Sequence, residues 1–73
     1  MADARFHYAR SLAMGNKLDL ALTELKAAVE LSPENPHFHA ALGELLHAMG
    51  RGDEAAKAME RAQELARRAP GGH

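Results

Sequence analysis

Seventy-three residues with a formal net charge of −1, 26% charged residues and no cysteine make at most one small domain with an ordinary soluble balance. Disulfides and thiolate metal sites are thereby excluded, and no basic block supplies the electrostatic footprint of a nucleic-acid binder. No run approaches the ~20 apolar residues of a membrane span, and the opening MADARFHYAR lacks a signal-peptide core. The expectation is a cytoplasmic protein with neither nucleic acid nor membrane among its partners.

The first predicted helix covers residues 3 to 14, with Phe6, Ala9, Leu12 and Ala13 at helical spacing. Gly15 and Asn16, which tolerate left-handed backbone, break it. Asp19 is expected to cap a second helix that runs to Leu31 with an apolar stripe of Leu22, Leu25, Ala28 and Val29. Ser32-Pro33-Glu34-Asn35-Pro36 ends that helix, and Asn35 before Pro36 is a helix-start signature. A third helix from Pro36 to Met49 is expected to bury Phe38, Leu42, Leu45 and Leu46. Gly50-Arg51-Gly52 forms the next turn. Asp53 is expected to open a fourth helix that runs to Arg68 and presents Ala55, Met59, Ala62 and Leu65. Lys26 with Glu30 and Glu64 with Arg68 are placed for i,i+4 ion pairs, and Pro70–His73 reads as a frayed tail.

Shifted by 34 residues, the chain aligns with itself without a gap. Leu12 falls on Leu46, Asp19 on Asp53, Ala21 on Ala55, Ala28 on Ala62 and Leu31 on Leu65. Tyr8 with Leu42, Ala9 with Gly43 and Leu25 with Met59 are conservative pairs. Matches in helical phase at a fixed period mark an internal repeat. The fold class is therefore all-α, two helix–turn–helix units over residues 2–35 and 36–69, followed by the tail at 70–73.

Catalytic chemistry finds little to work with. Ser11, Thr23 and Ser32 are the only hydroxyl residues besides Tyr8, and none has a strand–turn–helix context. Gly50-Arg51-Gly52 lacks the strand and lysine of a phosphate loop. Among five histidines no two are spaced i,i+4. Glu44-x-x-His47 has the letters of a di-iron motif, but such a site needs a second copy and two further glutamates. Glu34-x-x-His37 is interrupted by Pro36. The expectation is no enzyme, no cofactor and no metal, with a histidine–carboxylate site across a dimer as a lower-ranked alternative.

Leu42-Gly43, Leu46, Gly50, Asp53-Glu54-Ala55, Met59, Ala62 and Leu65 in the second unit resemble the tetratricopeptide repeat. So do Tyr8-Ala9, Leu12, Ala21, Leu25, Ala28, Leu31 and Pro33 in the first. His39 departs, standing where that family often has a large aromatic residue, and Asn16 stands opposite Gly50. The resemblance implies a short right-handed solenoid of antiparallel helix pairs whose first helices line a concave face. Asp3, Phe6, Arg10 and Ala13 from the first helix and His37, Ala40, Glu44 and His47 from the third would form that face. The offset sets Arg10 beside Glu44, either as a cross-repeat ion pair or as a polar rim that reads a peptide with Phe6 as anchor. The family's clamp for C-terminal carboxylates is not matched, because Phe6, Arg10 and Ala41 stand at three of its positions.

Solenoid repeats bury their faces on neighbours, and two repeats are few. An alanine-rich last helix, with Ala58, Ala62, Ala66 and Ala69, is the expected surface for self-association, so a homo-oligomer is expected beside a protein or peptide partner. The remaining reading is a minimal structural unit whose only property is folding and assembly.

Overall fold

The computed structural model describes residues 2–68. Four helices follow in order: α1 Ala2–Met14, α2 Leu18–Leu31, α3 Pro36–Ala48 and α4 Gly52–Arg68. Packing follows chain order, α1 on α2 and α3 on α4 most extensively, with α2 against α3 joining the two hairpins. No strand occurs among the described residues.

The two turns inside the hairpins are built alike. In the first, Asn16 N–H donates to the Ala13 carbonyl at 3.0 Å and Lys17 N–H to Leu12 at 2.8 Å. In the second, Gly50 donates to His47 at 3.0 Å and Arg51 to Leu46 at 2.9 Å. These crossed bonds are Schellman closures, which need a left-handed residue just past the helix. Asn16 at φ 64° and Gly50 at φ 81° supply it. The closure delivers the chain directly into the next helix, so Lys17, without a side-chain cap, occupies the N-cap of α2. Asp19 is therefore not the cap expected from the sequence. It sits inside the first turn, where its charge favours the helix dipole. Likewise α4 opens at Gly52, one residue before Asp53.

The turn between hairpins is held by side chains. The Asn35 side chain accepts from His37 N–H at 2.9 Å and caps α3, with Pro36 in the first turn. His39 Nε2 donates to the Pro33 carbonyl at 2.8 Å, so this histidine stitches α3 back to the segment that precedes it. Nothing in the residue spacing pointed to that bond.

The core forms from the small and apolar positions of the repeat. Ala9, Ala21, Leu22, Leu25, Leu45, Leu46, Ala55 and Ala58 make one buried cluster. Phe38 is 2% exposed, and its ring lies 5.0 Å from that of Phe6 at 36°, which joins α3 to α1. Gly43 packs tightly against α4: a Cβ there would sit 3.2 Å from the Ala55 carbonyl oxygen and 2.5 Å from Met59 Sδ. Two expected core positions are only partly enclosed. Leu42 is half-buried and Met59 is 36% exposed.

Ion pairs lie on the surface. Arg5 and Glu24 bridge α1 and α2 at 3.0 Å, Glu64 receives both Arg61 and Arg68, and Arg51 approaches Glu54 at 3.6 Å. The expected Lys26–Glu30 pair does not form among the described residues, whereas Glu64–Arg68 does, at 3.8 Å.

Candidate functional site

A groove of about 410 Å³ opens between α1 and α3. From α1 it takes Phe6, Ala9, Arg10, Ala13 and Met14, and from α3 His37, Ala40, Ala41, Glu44 and Leu45, with Leu25 of α2 beneath. The helical period explains the set: Phe6, Arg10 and Ala13 recur at i, i+4 and i+7 on α1, and His37, Ala40 and Glu44 at i, i+3 and i+7 on α3. Alanines at four of these positions leave a low floor between taller walls. Six of the eight residues expected on the concave face line this groove. Asp3 and His47 are exposed but stand outside it, and His47 belongs to another hollow between α3 and α4.

Met14 was missed. It follows Arg10 by one helical turn and is 86% exposed, so a long apolar side chain stands free at the rim. Its i+4 spacing from Arg10 was the available signal, obscured by the glycine that follows and marks it as a helix end.

Of the two readings of Arg10 and Glu44, the ion pair does not form among the described residues. The guanidinium carbon of Arg10 lies 5.9 Å from the centre of the Phe6 ring, within reach of a cation–π attraction. Among the described residues it makes no ion pair with Glu44. The reason is local: Phe6 is one turn before Arg10 on the same helix, so folding the side chain onto the ring needs no reach across the groove. Arg10 and Glu44 thus face one apolar floor as separate charges of opposite sign.

Two of the four alanines expected at a self-association surface are enclosed. Ala58 and Ala62 are buried within the chain, Ala66 is exposed, and Ala69 lies outside the described residues, as does the 70–73 tail. Ala58 belongs to the buried cluster shared with α2 and α3. Among the described residues no three histidine, aspartate or glutamate side chains group to hold a metal ion, and no helix is long and apolar enough to cross a membrane.

The family described as TPR repeat matches residues 10–50, and the family described as Tetratricopeptide repeat matches residues 36–68. Comparison with curated proteins yields no match.

Proposed function

The chain belongs to the tetratricopeptide repeat family, and from that premise we propose that it is a non-catalytic module that holds a short segment of a partner protein in the α1–α3 groove. Members of this family are in general protein-interaction modules. The observation that carries the reading is the pair Arg10 and Glu44, two charges not neutralised by each other on either side of an alanine floor. Such a floor accepts one apolar side chain, and the two charges orient the residues beside it.

Panning of a short-peptide library against the protein tests this. Selected peptides are expected to lose about fivefold or more in affinity on Arg10→Ala, roughly 1 kcal/mol, while the helical circular dichroism of the variant is unchanged. Peptides that bind the variant equally well would place recognition elsewhere.

A further inference from the structure

The first hairpin shows how this chain seats a helix. Ala9 of α1 with Ala21, Leu22 and Leu25 of α2 form a buried cluster with Leu45 of α3, and Ala41 and Leu42 pack against it. One repeat further on, the same positions are Gly43, Ala55, Ala56 and Met59. There they line an open groove of about 430 Å³ that His47 and Gly52 extend. Ala56 is exposed where Leu22 is buried, and Met59 is 36% exposed where Leu25 is 3% exposed. The geometry that encloses α3 in the first hairpin is presented outward by the second.

We propose that the α3–α4 groove is a second docking site and that it takes an amphipathic helix of a partner protein, apolar at i, i+3, i+4 and i+7 and basic along its edges. This site is separate from the α1–α3 groove, with which it shares only Glu44. The spacing is that of Phe38, Ala41, Leu42 and Leu45, the face by which α3 joins the first hairpin. Ala56 is small and exposed, so an incoming backbone can approach closely there, with the flexible Met59 side chain beside it over the buried Gly43.

Charge sets the edges. Glu44 lines the groove, and Glu60 shares the α4 face of Ala56 one turn on. The corresponding residues of the first hairpin are Arg10 and Lys26. At these equivalent positions the first hairpin carries Arg10 and Lys26 and the second Glu44 and Glu60, a reversal of charge that favours a basic partner for the outward groove.

A second copy of the chain fits less well. The α1 residues at the seating positions of α3 are Ala4, His7, Tyr8 and Ser11, and all four are exposed. Tyr8 is the only large one with apolar surface. Two copies meeting groove to groove would bring acidic edges together.

The test uses a labelled helical peptide with the apolar face of α3 and lysines on its edges, beside a twin with glutamates there. Fluorescence anisotropy at physiological salt is expected to show saturable binding of the lysine peptide, about tenfold or more tighter than its twin. Ala56→Arg, at an exposed position, is expected to weaken it about tenfold or more. Glu60→Lys is expected to narrow or reverse the preference between the twins, while Arg10→Ala leaves it unchanged. That last variant separates this site from the α1–α3 groove: loss with Arg10→Ala and none with Ala56→Arg overturns the proposal. So does absence of saturable binding, or equal affinity for the twins. A dimer mass by light scattering that Ala56→Arg abolishes assigns the face to a second copy and likewise overturns it.

Discussion

Asn16 and Gly50 lie one repeat apart and hold the same left-handed backbone, φ 64° and 81°, at the centre of matching helix closures. Glycine enters this region without the clash that a Cβ makes, and asparagine is the side chain that tolerates it best. The two turns therefore differ in strain rather than in shape. Asn16→Gly relieves the Cβ clash but adds freedom to the unfolded chain, so it is expected to change stability by less than about 1 kcal/mol, whereas Gly50→Ala is expected to lower it by about 1–2 kcal/mol. Urea unfolding followed by circular dichroism checks both, and equal effects of opposite substitutions at the two sites would refute the shared geometry.

Gly43 tests the tight packing of α3 against α4. A methyl group there meets Met59, whose flexible side chain can swing aside, and the Ala55 carbonyl oxygen, which is backbone. Ala9 occupies the equivalent place in the first hairpin and is buried without difficulty. Helix propensity favours alanine over glycine by up to about 1 kcal/mol, so Gly43→Ala is expected to change stability by less than about that amount. Gly43→Val adds bulk with no room to give, and a loss of about 1–3 kcal/mol is expected from denaturation midpoints.

Phe38 is the largest fully buried side chain among the described residues and has the tilted Phe6 ring as its neighbour. Phe38→Ala is expected to cost about 3–5 kcal/mol. Domains hold only roughly 0.05–0.15 kcal/mol per residue, so much of this variant is expected to be unfolded at 25 °C. The helical ellipticity at that temperature reads the outcome directly.

His39→Ala removes the bond to the Pro33 carbonyl. The loss expected is about 0.5–1.5 kcal/mol, without change in the α1–α3 groove, which His39 does not line. Unfolding curves and peptide affinity measured side by side separate the two effects.

The helix plan was legible because punctuation in this chain is strong: Gly15-Asn16, Pro33 through Pro36 and Gly50 to Gly52 each interrupt one apolar period. The family resemblance, rather than the spacing, named eight residues for the concave face, of which Phe6, Arg10, Ala13, His37, Ala40 and Glu44 line the groove. What spacing could not reveal was where flexible or competing groups go. The 34-residue offset set Arg10 beside Glu44, whereas in the fold its guanidinium lies over the Phe6 ring of its own helix. Asp19 is a good cap by composition, yet the preceding closure had already positioned Lys17 there. Ala58 and Ala62 read equally well as surface or as spacer, since alanine suits both. His39 reaches a carbonyl six residues back across a proline turn, a bond with no periodic signature.

The walls of the α1–α3 groove belong to different hairpins, and those hairpins meet through the α2–α3 contact, which is less extensive than either intrahairpin contact. On the reading proposed above, a segment lodged between Phe6 and Ala40 would touch both hairpins at once and bridge that smaller contact. Because it grips both hairpins, its affinity adds to the cohesion of the whole chain. Amide exchange at Glu34 and Asn35, in the turn that joins the hairpins next to His37 of the groove wall, is where that tightening should be read.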